Sequence, residues 1–224
     1  MLGVRLRLKL VRVCAWFLLA AHALLGSGCE RQERPGEEVD RLRQRVEQIV
    51  VLSAHEATRR KAYAEIRQLG DAAVPVLEAL GHPEAADPIS AWACLVELGS
   101  TRSFEALLRI MRRARRGSYE WHSVANLLAI FLCKNDWSAQ DVRGIPGAYE
   151  LLASYIDYPD QCWPWTTARL IGRLAYEPGI PKLHEYASGQ HGELTRRAAL
   201  EALARLGYVP PASSPTEAPA RDRP

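Results

Sequence analysis

A leucine closes the same short amphipathic phrase five times along the chain. Leu69, Leu98, Leu132, Leu174 and Leu206 follow one another at intervals of 29, 34, 42 and 32 residues. Seven and three residues before each of them stand the pairs Ala62/Ile66, Ala91/Leu95, Ala125/Ala129, Thr167/Ile171 and Ala199/Leu203. Spacings of i, i+4 and i+7 place all three positions of a phrase on one face of a helix. Small residues at the earlier position let neighbouring helices approach closely, and the larger ones fill the layer between them. In RRKAYAEIRQLGDAAVPVLEAL (Arg59 to Leu80) the first helix stops at Gly70-Asp71 and a second opens at Val74-Pro75 with Val76, Leu77 and Leu80. Such a hairpin has an apolar seam and too little chain to bury it alone, so the unit has to stack on copies of itself. No stretch alternates apolar and polar residues over a strand's length, and essentially no sheet is expected.

The punctuation repeats with the seam. Leu-Gly ends the first helix at Leu69-Gly70, Leu98-Gly99 and Leu206-Gly207, where glycine supplies a left-handed residue after a helix. A β-branched residue and a proline open the second helix at Val74-Pro75, Ile145-Pro146 and Ile180-Pro181, and a first turn tolerates proline because its N–H groups have no intrahelical partner. The third unit departs from the pattern, with Leu132-Cys133-Lys134 at the helix end and a longer turn through Asn135–Gly144. From Thr58 to Gly207, and most closely in TRRAALEALARLG (Thr195 to Gly207), the chain resembles the HEAT-repeat family, and within it the HEAT-like repeats of phycobilisome lyases. The resemblance implies an all-α, right-handed α-α superhelix, a HEAT-like solenoid of about four to five helical hairpins, with second helices lining a concave face. It concerns the scaffold and implies no catalytic motif.

The repeats do not account for the ends. Arg5, Arg7, Lys9 and Arg12 precede the apolar run VCAWFLLAAHALL, which ends in Gly26-Ser27-Gly28-Cys29. That is the form of a secretory signal over residues 1–28, too short for a comfortable membrane span. The small residues before Cys29 resemble the lipobox of bacterial lipoproteins, with Gly26 where the family usually has leucine. The resemblance implies lipidation at Cys29 and a bacterial cell envelope address, lipid-anchored on the periplasmic side of the inner or outer membrane. Cleavage after Ala21-His22-Ala23, giving a secreted or periplasmic protein, is the alternative, and an uncleaved anchor a third. Residues 29–36 read as a lipidated Cys and charged tether, and 37–208 as the solenoid, its first helix (Glu37 to Leu52) amphipathic through Val39, Leu42, Val46 and Ile49/Val50. The helix is expected to cap the stack. Residues 209–224, with five of the 14 prolines, read as a disordered Pro-rich tail.

Without the signal the charge changes sign. The net +3 of the whole chain comes from 29 basic and 26 acidic residues, and residues 1–28 hold four basic residues and no acidic one, leaving 25 against 26. The electrostatic case for a nucleic-acid partner falls away. Catalytic signatures are also missing: no HExxH, no Cys-x-x-Cys, no Gly-rich phosphate loop after a strand and no G-x-S-x-G turn. No enzyme activity, metal or cofactor is expected. Cys94, Cys133 and Cys162 are expected as buried free thiols, because the repeat register sends Cys133 and Cys162 to opposite edges and Cys94 one unit away.

Two features stand out as candidate partner-binding sites. Arg109, Arg112, Arg113, Arg115 and Arg116 crowd the end of the second unit's second helix, a seat for an acidic partner or cations that complement the helix dipole. Trp121, Trp163 and Trp165 fall eleven to nine residues before their anchor leucines, with Tyr119 and His122 beside the first. They meet at one loop edge, as wedges between loops or as an exposed hot spot centred on Trp163 or Trp165. The expectation is a membrane-tethered scaffold for an envelope protein partner. The alternative is a small envelope enzyme or ligand-binding protein with a pocket at the Trp121/Trp163 edge.

Overall fold

The computed structural model describes residues 35–208 apart from 83, 84, 86 and 161, and every described element is helical. The signal segment, Cys29 and the Pro-rich tail lie outside the described residues. Eleven α-helices follow in order: α1 (Pro35–Ala54), α2 (Glu56–Leu69), α3 (Val74–Leu80), α4 (Pro88–Leu98), α5 (Thr101–Arg113), α6 (Tyr119–Lys134), α7 (Ala139–Arg143), α8 (Ala148–Ile156), α9 (Pro164–Leu174), α10 (Ile180–Ala187) and α11 (Glu193–Arg205). Short 3₁₀ turns, Gly70–Ala73 and Glu177–Gly179, lead into α3 and α10. The chain divides after Arg41 into two units, and the helices from Leu42 onward pack within the second.

The first helices of the four hairpins and the closing helix pack in succession: α2 on α4, α4 on α6, α6 on α9 and α9 on α11. All ten register residues face these contacts, Ala62/Ile66 through Ala199/Leu203, and none is more than 1% exposed. Helices α9 and α11 come into close contact. A Cβ placed on Gly172 would lie 2.7 Å from the Ala202 Cβ and 2.9 Å from its Cα, inside the ~3.5–4.0 Å optimum for carbon pairs. The absence of a side chain at 172 is what lets the two backbones meet.

The second helices are joined differently. Helices α3 and α5 pack directly, whereas side chains bonding to carbonyls link the later ones. Arg112 Nη2 donates to Pro146 O at 3.1 Å, tying α5 to the turn before α8, and Arg116 Nη2, in the turn after α5, donates to Ser154 O of α8 at 3.3 Å. Lys182 on α10 donates to Ile156 O at the end of α8.

Side-chain caps fix the starts. Ser100 and Ser103 form a reciprocal capping box at α5, and Ser100 Oγ also donates to Asp71 Oδ1 at 2.5 Å, binding that cap to the turn of the preceding hairpin. Helix α1 buries Val46, Ile49 and Val50, as its amphipathic spacing requires, while Val39 remains 63% exposed.

Two local expectations are corrected. The segment Asn135–Gly144 is not a plain turn but contains α7, because Ser138 and Asp141 make a capping box and Val142 is fully buried. Trp137 fills the gap beside it, its ring 4.7 Å from Phe104 and 5.1 Å from Phe131. The second helix of that unit also opens later than Ile145-Pro146, at Ala148, after Gly147 has turned the chain at φ 69°.

Candidate functional site

The aromatic edge is built at the first turns of α6 and α9. Ser118 caps α6 by accepting from the Trp121 backbone N–H at 3.2 Å, and the Trp121 indole points inward. Its centroid lies 4.9 Å from Tyr155, 5.1 Å from Tyr158 and 5.2 Å from His122, and the residue is only 3% exposed. Trp121 is therefore corrected from a candidate partner contact to a core residue, because rings supplied by α8 and the loop after it close over it. His122 is buried as well, with Nδ1 3.5 Å from the Tyr155 hydroxyl. Burial holds its pKa below the usual value, so the imidazole is kept neutral near pH 7.

Trp163 precedes α9 at the cap position and is half-buried, with its ring 6.4 Å from His122 and 6.0 Å, edge-on, from Tyr119. The repeat register thus does bring Trp121 and Trp163 to one edge, through His122 and Tyr119. The ring exposed there is Tyr119, at 63%. Trp165 is half-buried on α9, with the Arg169 guanidinium 4.9 Å from its ring centre.

The arginine group points largely back at the protein. Arg109 grips Glu78 of α3 with two bonds, Nε to Oε1 at 3.0 Å and Nη2 to Oε2 at 2.7 Å, and Arg113 Nη1 adds a third contact at 3.3 Å. The Arg109 hydrogen bonds hold the Glu78 carboxyl below its ordinary range. Arg112 and Arg116 make the carbonyl bonds to Pro146 and Ser154, and Arg116 also lies 5.3 Å from the centre of the Tyr158 ring. An acidic partner at Arg109 or Arg113 would have to compete with Glu78. These side chains hold second helices together, a role that their sequence position at a helix C-terminus does not disclose.

No family model and no curated protein matches the sequence. The candidate site accordingly rests on this chain's own geometry.

Cys94, Cys133 and Cys162 carry free thiols, but they do not share one environment. Cys94 is fully buried, donates to Ser53 Oγ at 3.7 Å, and is pushed up to about 11 by desolvation. Cys133 is half-buried and Cys162 is exposed. Cys162 is the correction: it lies in the loop before α9, where no helix covers it. Among the described residues no group of three His, Cys, Asp or Glu side chains could hold a metal ion, and no helix is long and apolar enough to cross a membrane.

One surface leaves no mark in the sequence. Helices α6, α9 and α11 together line a cleft of about 470 Å³ whose walls carry Lys134, Arg169, Arg173 and Arg205. Each helix contributes residues at i, i+3 and i+4, but the basic character emerges only when the three helices lie side by side.

Proposed function

We propose that this chain is a bacterial envelope protein, tethered by lipid at Cys29, whose hairpins form a HEAT-like solenoid serving as a protein–protein interaction scaffold. The observation that carries the reading is the shared burial of the five register pairs between successive first helices. A fold that uses the same seam at every step presents a continuous series of helix faces and loop edges to a partner. The Tyr119–Trp163 edge is the favoured contact, since an exposed ring backed by a half-buried one is a rigid aromatic anchor. Attachment through Cys29 rests on the GSGC sequence that ends the apolar run. The alternative of a catalytic or ligand pocket at the Trp121/Trp163 edge is weakened by the ring packing that seals Trp121.

The test joins address and partner. Cys29→Ser should release the protein from membranes or leave an unprocessed precursor, and unchanged size and membrane association would sink the tether. Affinity isolation after cross-linking in envelope membranes should return a defined protein partner that Tyr119→Ala with Trp163→Ala loses. Recovery of the same partner by that double variant would remove the aromatic edge from the proposal.

A further inference from the structure

The cleft across α6, α9 and α11 has a floor of small residues and walls of long cations. Gly172 on α9 meets Ala202 on α11, and Ala198 extends the floor by a turn. Lys134 ends α6, Arg169 and Arg173 stand one turn apart on α9, and Arg205 ends α11. Part of this charge has a structural use. Lys134 lies 2.5 Å from Glu97, a carboxylate that Arg67 also contacts at 3.3 Å. Arg173 bridges to Asp136 at 2.7 Å and donates to Cys133 O at 3.3 Å, which holds it upright against the wall. Glu201, the one carboxylate lining the cleft, lies 3.6 Å from Arg197. Among the described residues on and beside the cleft, the cations Arg67, Lys134, Arg169, Arg173, Arg197 and Arg205 stand with the carboxylates Glu97, Asp136 and Glu201, and Asp136 is also within the field of Arg205.

Cations in a last turn complement the helix dipole, which suffices for Lys134 and Arg205. Arg169 lies in the middle of α9, where its guanidinium packs 4.9 Å over the Trp165 ring, and with Arg173 it makes a like-charged i, i+4 pair, an arrangement that disfavours the helix. The guanidiniums of Arg169 and Arg205, over a floor of small residues, are suited to planar carboxylates. The spacing selects the carrier. Successive helix axes lie about 8–10 Å apart, so the α6 and α11 backbones are on the order of 16–20 Å apart, too far for one small anion to bridge. An extended chain rising about 3.3 Å per residue spans that distance in five or six residues.

We propose that this cleft, on the first-helix side of the repeats and away from the second helices, binds an acidic extended segment of a partner protein, with carboxylates on Arg169 and Arg205. The proposal rests on the scaffold reading above and names a second contact surface for it.

The probe is a fluorescein-labelled eight-residue peptide with glutamate at every third position in a Gly/Ser background, titrated by anisotropy into the full chain in detergent. Arg169→Glu and Arg205→Glu should each weaken binding at least tenfold, and Arg205→Gln by less. Arg102→Glu, the same charge change on the exposed face of α5, should leave it within twofold. The peptide should also slow maleimide labelling of Cys133, read by site-resolved mass spectrometry, and spare Cys162. Thermal melts of the variants must match the parent, and Arg205→Gln covers the case in which a charge reversal unfolds the protein. Absence of binding, equal loss with Arg102→Glu, or an unprotected Cys133 overturns the proposal. So does displacement of the peptide by millimolar citrate or phosphate, which would mark a small-anion site. If Arg169→Glu and Arg205→Glu abolish peptide binding while the cross-linked envelope partner persists, the cleft stands with a different partner. If no envelope partner is recovered at all, the scaffold reading fails on its own evidence.

Discussion

Gly172→Ala places one methyl group where the structure has no room for it. The new Cβ would sit 2.7 Å from the Ala202 Cβ and 2.9 Å from its Cα, about 1 Å inside the carbon–carbon optimum. Both helices carry several other buried residues, among them Ile171, Leu174, Ala199 and Leu203, so neither can move without opening its other contacts. Overpacking of this kind costs about 1–3 kcal/mol. Alanine is the better helix former by about 1 kcal/mol, which offsets part of the strain. A net loss of up to about 2 kcal/mol is expected, or up to roughly 8 °C in Tm for a domain of this size. Ala202→Gly reopens the space, so the double variant Gly172→Ala/Ala202→Gly should be more stable than the sum of the two single losses implies. Circular dichroism melts of the four proteins complete the cycle. A Tm for Gly172→Ala at or above the parent would show that helix propensity governs the site and that α9 and α11 are not in backbone contact.

Three further outcomes follow from the site. Glu78, with its folded pKa depressed by Arg109, contributes stability that is present above the ordinary carboxylate pKa and lost as pH falls through the folded value. Glu78→Gln should therefore melt below the parent at pH 7, by about 1 kcal/mol, and the gap should close between roughly pH 5 and pH 3. His122 also has a lowered folded pKa, so its contribution is intact above the unfolded value and erodes as pH drops below about 6.5. His122→Phe should flatten the melting temperature from roughly pH 7.5 to 5.5, and an unchanged slope would assign it to another group. Trp121→Ala should cost about 3–5 kcal/mol as a core truncation, whereas Trp163→Ala should lose the partner at about 2 kcal/mol or more with a much smaller change in Tm. Equal melting losses for the two would mean that Trp163 also holds the fold.

The helix faces were legible in the sequence because burial permits only small or apolar residues at a fixed period, and Ala62, Ile66, Ala199 and Leu203 obey it without exception. Helix α7 was not, since five residues with one buried side chain, Val142, carry no periodicity and the capping pair Ser138/Asp141 also suits a turn. Trp121 could be placed at the correct edge but not at the correct depth. Its cover comes from Tyr155 and Tyr158, more than thirty residues later, and no local pattern records such a contact. The arginines of α5 were read as a surface because their partners, Glu78, Pro146 and Ser154, belong to neighbouring hairpins. The basic cleft was missed for the same reason: Arg169, Arg173 and Arg205 become neighbours only by lateral stacking.

The scaffold proposal is tested most directly by a photoreactive residue at position 119, expressed in the full chain in bacterial cells whose envelope membranes are then isolated. Tyr119 is the exposed ring of the aromatic edge, and Ala64, exposed in the middle of α2, gives a control position. Irradiation should produce one discrete cross-linked protein from position 119 and none from position 64, and Trp163→Ala should abolish it. The same products from both positions, or no product from 119 in membranes that contain the protein, would contradict a role in partner binding at this edge.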